Sequence, residues 1–282
     1  MDHRQDIHSV KFRFYSISLS MSQNRVLSSS EREFLFKLVR QAGDFALSHW
    51  PGGEERRPFH VKVKSDGSPV TSVDIAVNEM LQGELTQCFP RYGLYSEELP
   101  ISEDISEAEA VWVLDPIDGT QNFIDGNREF GVLLGLVVPS GEVVFAIAYF
   151  PALEMFFWAA KGEGAFCNEK RLKITSPKTL EPGSIYVRNG GIEKAELIYE
   201  KELGTAHGFY FLLTGEVDAL TIRITQHQEW DICPLVLLVK ESGALITDES
   251  GAEVVFHFAP LHIRYLVAAH HSIHSDLLAL LE

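Results

Sequence analysis

Residues 111–120 read VWVLDPIDGT, a short apolar run that passes directly into two aspartates, a proline and a glycine. The run VWVL predicts a buried β-strand bounded by a turn. Pro116 biases Asp115 toward extended backbone geometry, and Gly119 permits a tight turn. Together they would bring the carboxylates of Asp115 and Asp118 to one place at the end of the strand.

Two carboxylates held that close must share a proton or hold a cation, because like charges raise each other's pKa. Hard oxygen ligands in a wet site favour Mg²⁺. The alternative is an ordinary turn, since Asp, Pro and Gly are common turn residues and both aspartates could be solvated. The segment alone leaves a metal site and a plain turn open.

Further acids lie elsewhere in the chain. Glu97 and Glu98 precede the strand, and Asp231 stands in the triplet EWD directly before an apolar run that predicts a helix from Ile232. Taken singly, the two glutamates read as a solvated pair on a loop. Asp231 alone reads as a helix N-cap, a role supported by Pro234 in the first turn. A cap uses one carboxylate oxygen, so Asp231 could still offer the other to a metal.

Apolar periodicity predicts the elements around these acids. A first helix begins at Ser30, where Ser30 and Glu33 have capping-box form, and it ends before Pro51. A second helix covers residues 75–89, which puts Asp74 at its N-terminal end. Further elements are predicted as a hairpin at 131–138 and 143–150, alternating helix and strand at 209–213, 232–240 and 244–247, and a final helix from about His274.

The composition is that of a globular protein, with 45% of the 282 residues hydrophobic and 23% charged. A chain of this length can bury a sizeable core. The 40 acidic and 24 basic residues give a formal net charge of −16. An acidic chain without a basic run repels a phosphate backbone, so we expect no nucleic-acid partner.

The cysteines Cys88, Cys167 and Cys233 are far apart and lack CxxC spacing, which predicts neither a disulfide framework nor a thiolate zinc site. A reducing compartment is favoured, and we expect the cytoplasm. The first residues contain no apolar run long enough for a signal-peptide core or a membrane span, so we expect no membrane partner.

The chain is expected to consist of one catalytic domain with an extension before it. Residues 1–28 precede the first periodic segment, and we expect an N-terminal extension there that need not be ordered. The catalytic domain at 29–282 would comprise an N-terminal α+β half at about 29–150 and a C-terminal α/β half at about 151–282.

Three runs together resemble the signatures of a known family. They are WVLDPIDGTQNF from residue 112, EWD at 229–231 and ESGALITDESG at 241–251. The combination is similar to the inositol monophosphatase superfamily, whose members include inositol monophosphatases, fructose-1,6-bisphosphatases, histidinol-phosphate phosphatases and 3′(2′),5′-bisphosphate nucleotidases. These enzymes depend on Mg²⁺ and are often inhibited by lithium. The resemblance implies a mixed α+β fold, the layered αβαβα sandwich of the inositol monophosphatase and fructose-1,6-bisphosphatase type, and a homodimer.

Position by position, the resemblance implies a set of oxygen ligands for two or three Mg²⁺ ions: Glu97, Asp115, the backbone carbonyl of Ile117, Asp118 and Asp231. Asp74 and the hydroxyl of Thr120 would orient the attacking water that a metal activates, with Glu97 beside them in the catalytic group. Gly119, Thr120 and Asp231 would bind the substrate. Lys64 falls where the family often places a basic residue, with an exposed loop lysine as the alternative.

The resemblance implies Mg²⁺-dependent hydrolysis of a small phosphate monoester, an inositol, sugar or histidinol phosphate. The run PIDGT followed by NF favours that branch. The contexts SEE at 96–98, REF at 128–130 and EWD at 229–231 look more like a 3′(2′),5′-bisphosphate nucleotidase, which acts on 3′-phosphoadenosine 5′-phosphate. A catalytically inactive metal-binding homologue is a further alternative. The stretch 184–228 is shorter than in typical relatives and shows no acid near Ile224, so the alcohol of the substrate stays open.

Overall fold

The computed structural model describes residues 27–102, 104–175, 179–199, 205–225, 227–258 and 261–281. Its helices are α1 Ser29–His49, α2 Ser72–Cys88, α3 Thr120–Ile124, α4 Thr205–Thr214, α5 Glu229–Glu241 and α6 His274–Leu278. Its strands are β1 Val61–Val63, β2 Pro69–Thr71, β3 Gly93–Ser96, β4 Val111–Asp118, β5 Gly131–Val137, β6 Val143–Phe150, β7 Met155–Ala160, β8 Gly164–Cys167, β9 Lys170–Arg171, β10 Ile185–Arg188, β11 Ala219–Arg223, β12 Ala244–Asp248 and β13 Tyr265–His270.

Within the described residues, these strands form a small hairpin and two larger sheets. The hairpin joins β1 to β2, the seven-stranded sheet runs in the order β3-β4-β5-β6-β7-β8-β9, and the four-stranded sheet runs in the order β10-β11-β13-β12. In the large sheet β3 is parallel to β4, and the other pairs are antiparallel. The predicted hairpin of residues 131–150 is confirmed as β5 and β6.

The side chains of β4 show how the layers stack. Val111 and Val113 belong to a core cluster shared with α4, α5 and the four-stranded sheet, whereas Trp112 and Leu114 belong to a cluster shared with α1 and α2. This alternation follows from the two-residue period of a strand, and burial on both faces explains the continuous apolar run. A third cluster packs α6 on the outer face of the four-stranded sheet. The expected mixed α+β sandwich with αβαβα layers is therefore what the chain forms.

The first helix begins at Ser29, one residue earlier than predicted, and its N-cap lies two residues before the predicted Ser30. Its N-cap is Ser28, whose hydroxyl accepts from Glu31 N at 3.2 Å while Ser28 N donates to Glu31 Oε2 at 2.6 Å. The capping box is therefore Ser28 with Glu31, and the predicted pair of Ser30 with Glu33 was wrong. Residues 1–26 of the predicted extension lie outside the described residues.

The start of α5 also differs from the prediction. The helix begins at Glu229, with Gln228 as its N-cap, so Asp231 is the third residue of the helix and not the cap. Buried Glu229 accepts backbone N–H groups from His257 and Phe258, both at 2.8 Å, and this contact to a distant loop holds the extra turn. Local sequence carries no sign of that loop.

The predicted division into halves near residue 150 stays a prediction. Strands β7 to β9 follow that point and still pair within the seven-stranded sheet, and the four-stranded sheet begins at Ile185. None of the helices in the described part of the chain is long and apolar enough to cross a membrane.

Candidate active site

The site is built at the end of β4, which runs through the DPID segment to Asp118 instead of stopping at Leu114. Its pairing with β5 shifts register between Asp115, opposite Leu133, and Asp118, opposite Gly131. Residues three apart in a regular strand point to opposite faces, and an irregularity with an extra residue can re-aim one of them. The two aspartates can therefore converge on one side of the strand end.

Three carboxylates meet at this point. One oxygen each from Asp115, Asp118 and Asp231 lies within 4.8 Å of the others. We call these residues the carboxylate cluster. Asp231 reaches it from the first turn of α5, where its Oδ2 accepts from Gln228 N at 2.6 Å. One oxygen of Asp231 thus accepts from the backbone of the N-cap residue, and its other oxygen is available to the cluster.

The turn after the cluster depends on Gly119. Its φ is +79°, and a Cβ added there would lie 2.5 Å from the carbonyl oxygen of Glu129. Only glycine adopts this backbone conformation readily and leaves room for that approach. Helix α3 begins at the next residue, Thr120, with Gly119 as its N-cap.

The hydroxyl of Thr120 joins two elements of the site. Its Oγ1 lies 2.9 Å from Asp74 Oδ1 and 3.0 Å from the carbonyl oxygen of Ile117. Asp74 is buried in the first turn of α2, where its Oδ2 accepts from Thr71 N at 2.9 Å and from the Thr71 hydroxyl. Burial raises the pKa of Asp74, and the hydrogen bonds from Thr71 and Thr120 act against that rise.

The two glutamates after β3 bind a lysine. Lys64, between β1 and β2, donates from Nζ to Glu97 Oε1 at 2.6 Å and to Glu98 Oε1 at 2.7 Å. Burial lowers the pKa of Lys64, but the hydrogen bonds and charges of the two glutamates outweigh it and raise that pKa. Burial raises the pKa of Glu98. Lys64 is therefore a partner of the acids and not an exposed loop residue.

Burial and mutual repulsion govern the charge of the carboxylate cluster. Burial, and then the charges of Glu97, Asp118 and Asp231, raise the pKa of Asp115 well above its usual value. Burial and then Glu97 raise the pKa of Asp118 to about 7, and Arg188 acts against this rise. Burial and then Asp118 raise the pKa of Asp231 to about 8.

The residues present fit a divalent cation. Within the described residues, buried Asp115 Oδ1 has no hydrogen-bond partner. A buried acceptor without a partner is costly, and a cation bound by several carboxylates would satisfy it and remove their repulsion. The donors are all hard oxygens, the type that Mg²⁺ binds.

The structure brings together most of the predicted site residues. Asp115, Asp118 and Asp231 form the cluster, and Asp74, Ile117 and Thr120 form the hydrogen-bonded group beside it. Glu97 borders the cluster through its charge on Asp115 while it holds Lys64. Two neighbours were missed. Thr71 could have been found from the capping-box spacing of TSVD, whereas Arg188 comes from the other sheet and has no local signal.

The layered fold and this arrangement of acids define a class of enzyme, the phosphoric monoester hydrolases whose carboxylates can hold a metal. The chain belongs to the inositol monophosphatase family, since the model described as "Inositol monophosphatase family" matches residues 28–282. The match covers both sheets and every residue of the predicted site. Family membership favours an enzyme over the inactive homologue.

Individual relatives agree with this assignment. A fructose-1,6-bisphosphatase/inositol-1-monophosphatase of Thermotoga maritima is 33% identical over 232 residues, covering 78% of this chain and 86% of the relative. A 3′(2′),5′-bisphosphate nucleotidase CysQ of Aggregatibacter actinomycetemcomitans is 27% identical over 238 residues, covering 79% of this chain and 86% of the relative. The solved structure of an IMPase of Thermotoga maritima superposes with a TM-score of 0.74 at 27% identity, covering 89% of this chain and 96% of that one.

Proposed function

We propose that this protein hydrolyses a small phosphate monoester, an inositol, sugar or histidinol phosphate, in a Mg²⁺-dependent reaction. The observation that carries the proposal is the convergence of Asp115, Asp118 and Asp231, with oxygens within 4.8 Å of one another. The fructose-1,6-bisphosphatase/inositol-1-monophosphatase relative supports this class of substrate.

The residues that would hold two or three Mg²⁺ ions are Glu97, Asp115, the carbonyl oxygen of Ile117, Asp118 and Asp231. Mg²⁺, when bound, would neutralise the negative charge of the phosphate oxygens and lower the pKa of a water molecule that it binds. The backbone N–H groups of Gly119 and Thr120 would donate to the phosphate, since they lie where α3 begins. Asp231, at the start of α5, would contact the alcohol.

Asp74 and Thr120 would position the attacking water. Asp74 Oδ1 accepts from the Thr120 hydroxyl, and Thr71 fixes the other oxygen of Asp74, so the pair has one orientation. Burial raises the pKa of Asp74, which makes its carboxylate a better proton acceptor. Water forms a new bond to phosphorus, the bond from phosphorus to the alcohol oxygen breaks, and that oxygen leaves with a proton.

The test is phosphate release with Mg²⁺ by the wild type and by Asp118→Asn and Asp231→Asn. Asn keeps the size and removes the charge, so we expect each variant to lose at least about 100-fold in rate. Exposed Asp276 in α6 offers a matched control, and Asp276→Asn should keep the wild-type rate. A wild-type rate in both site variants would refute the assignment of the site.

A second candidate is hydrolysis of 3′-phosphoadenosine 5′-phosphate. The observation that favours it is the similarity to the bisphosphate nucleotidase CysQ over 79% of this chain. Assays of inositol 1-phosphate and 3′-phosphoadenosine 5′-phosphate side by side separate the two candidates, because a nucleotidase would prefer the adenosine bisphosphate.

The proposal extends to the assembly and location of the protein. We propose a cytoplasmic homodimer, which the family resemblance and the free cysteines Cys88, Cys167 and Cys233 support. Light scattering coupled to size exclusion would give about twice the chain mass of 31.6 kDa if this is correct. A monomer at micromolar concentration would contradict it.

A further inference from the structure

Glu229, the first residue of α5, binds a distant loop with its carboxylate. The side chain is buried, and each oxygen accepts a backbone N–H at 2.8 Å, Oε1 from His257 and Oε2 from Phe258. Hydrogen bonds to a charged acceptor are about twice as strong as those between neutral groups. Glu229 is two residues before Asp231. The contact therefore holds the turn of helix that carries a member of the carboxylate cluster.

The bound loop adopts a costly backbone conformation at the point of contact. Phe258 has a φ of +58°, in the left-handed region, which costs a residue other than glycine about 1–2 kcal/mol. Such a conformation persists where the surrounding structure fixes it. Two residues earlier, Phe256 N donates to the carbonyl oxygen of Gly141, between β5 and β6, at 2.9 Å. The loop is therefore tied to the seven-stranded sheet as well as to Glu229.

Three aromatic rings join this contact to β3. The ring centroid of Tyr95 lies 4.9 Å from that of Trp230 and 5.8 Å from that of Phe258. Rings at these separations attract each other. Tyr95 is two residues before Glu97, and Trp230 directly precedes Asp231. The packed rings therefore hold the end of β3 and the start of α5 next to each other, and each of these elements supplies an acid to the site.

The other end of α5 has a contact of the same kind. Glu241, the last residue of the helix, accepts from Gly162 N and Gly164 N, both at 2.7 Å. Each end of α5 is thus fixed by a carboxylate that binds two backbone N–H groups. Of these two contacts, that of Glu229 is the one within a turn of Asp231.

We infer that Glu229 is a positioning residue for the metal site, because its bonds to the loop at 257–258 set the place of Asp231 opposite Asp115 and Asp118. The inference rests on the proposed function, in which these three carboxylates hold Mg²⁺. This ion demands near-ideal octahedral geometry with bonds of about 2.1 Å. A displaced first turn of α5 would therefore weaken Mg²⁺ binding, although the oxygens of Glu229 are bonded to the loop and are not ligands.

The test variants change this contact in two ways. Glu229→Gln keeps the size of the side chain but turns an NH₂ group toward one of the two N–H donors. We expect it to raise the dissociation constant for Mg²⁺ by about tenfold to a hundredfold, the usual effect of losing a partner of a metal ligand. Glu229→Asp keeps the charge and shortens the reach, so its affinity should lie between those of Glu229→Gln and the wild type.

The matched control is Glu241→Gln. It removes the same charge and the same kind of contact from the far end of α5. We expect it to lower stability and to keep the wild-type affinity for Mg²⁺, because Asp231 stays in place.

Three measurements separate positioning from stability. Calorimetric titration of the chelator-treated proteins with Mg²⁺ gives the affinity without any substrate, and urea unfolding without metal gives the stability that each variant loses. Phosphate release as a function of Mg²⁺ gives the concentration for half-maximal rate and the kcat at saturation. Glu229→Gln should raise that concentration as much as the dissociation constant and lower kcat less, because high Mg²⁺ fills the weakened site. A purely structural glutamate would lower stability and leave both Mg²⁺ values unchanged.

A wild-type dissociation constant for Mg²⁺ in folded Glu229→Gln overturns the inference. An equal rise in Glu241→Gln overturns it too, since any loosening of α5 would then have the same effect. Wild-type affinity in Glu229→Asp would assign the effect to charge and also contradicts it, and this variant decides alone if Glu229→Gln does not fold. If the wild type binds Mg²⁺ but hydrolyses no ester, the proposed function fails, and the binding constants still decide the inference. A wild type that binds no Mg²⁺ overturns both.

Discussion

The hydroxyl of Thr120 lies 2.9 Å from Asp74 Oδ1, and this contact joins the first residue of α3 to the first turn of α2. The two residues are 46 positions apart, so their meeting depends on the packing of α2 against the seven-stranded sheet. Thr71 holds the other oxygen of Asp74. The pair is therefore a fixed acceptor and hydroxyl beside the carboxylate cluster.

Replacing the hydroxyl of Thr120 should reduce the rate, and it should also lower stability by about 1–3 kcal/mol because buried Asp74 loses a donor. We expect Thr120→Val, which is nearly isosteric, to lower kcat by about 100-fold or more, because the proton acceptor Asp74 loses the hydroxyl that orients it. Thr120→Ser keeps the hydroxyl and should retain most of the rate. Steady-state phosphate release at saturating Mg²⁺ measures both, and equal rates in the Val and Ser variants would remove Thr120 from the mechanism.

Gly119 should be less tolerant of alanine than Gly162, which also has a positive φ but has open space around it. Gly119→Ala adds a Cβ that would meet the Glu129 carbonyl oxygen at 2.5 Å, whereas the same change at Gly162, with φ +76°, meets nothing within 4 Å. In both variants the left-handed backbone should lower the free energy of unfolding by about 1–2 kcal/mol. The collision in Gly119→Ala should lower it by about 1–3 kcal/mol more. Urea unfolding of the two variants measures the difference, and equal midpoints would contradict the expected collision.

The metal-free protein should lose stability as pH rises from about 4 to about 8. Asp118, with a pKa of about 7, and Asp231, with a pKa of about 8, both stand above the ordinary value of 3.8 in the folded state. The folded protein then binds more protons than the unfolded chain, and this contribution is lost as pH rises through the folded pKa values. Mg²⁺ should reverse the trend, because it binds the deprotonated carboxylates.

Thermal melts in chelator and in Mg²⁺ across this pH range check the prediction. The control is the double variant Asp118→Asn/Asp231→Asn, whose melting temperature should vary less with pH because neither group titrates. The same pH dependence in the double variant and the wild type would show that other groups control it.

Lys64 should contribute more to stability than an exposed lysine with the same kind of partner. Its side chain is 20% exposed and that of Glu98 is 6% exposed, whereas Lys37 and Glu33 are 69% and 68% exposed. Lys64→Met leaves the mostly buried carboxylates of Glu97 and Glu98 without this partner and should cost about 1–3 kcal/mol. Lys37→Met should cost at most about 0.5 kcal/mol. Denaturant unfolding without metal gives both values, and equal losses would mean that the Lys64 pairs are screened like surface pairs.

Elements in which apolar residues recur regularly over many positions could be predicted from the sequence. The residues at which these elements begin and end could not. Helix α2 and the β5–β6 hairpin follow from periodicity and turn residues. The start of α1 was misplaced because this stretch contains two serine–glutamate pairs with capping-box spacing. They are Ser28 with Glu31 and Ser30 with Glu33. Only packing chooses between them.

The candidate site shows the same division. The segment 115–119 predicts converging carboxylates from local geometry. Its proline favours extended backbone at Asp115, and its glycine permits the tight turn after Asp118. The start of α5 and the place of Arg188 depend on partners far away in the chain, a loop at 257–258 for the helix and the parallel strand β11 for the arginine. The spacing of residues along the chain carries no information about such distant pairings.

The most direct test of a Mg²⁺-dependent carboxylate cluster is phosphate release as a function of Mg²⁺ by chelator-treated wild type and Asp115→Asn. Burial and three neighbouring acids raise the pKa of Asp115, so the neutral Asn variant should fold at least as stably without metal. We expect the wild type to release no phosphate until Mg²⁺ is added, and the folded variant to release none or to need far more Mg²⁺. Full activity in chelator, or the same Mg²⁺ dependence in both proteins, would contradict it.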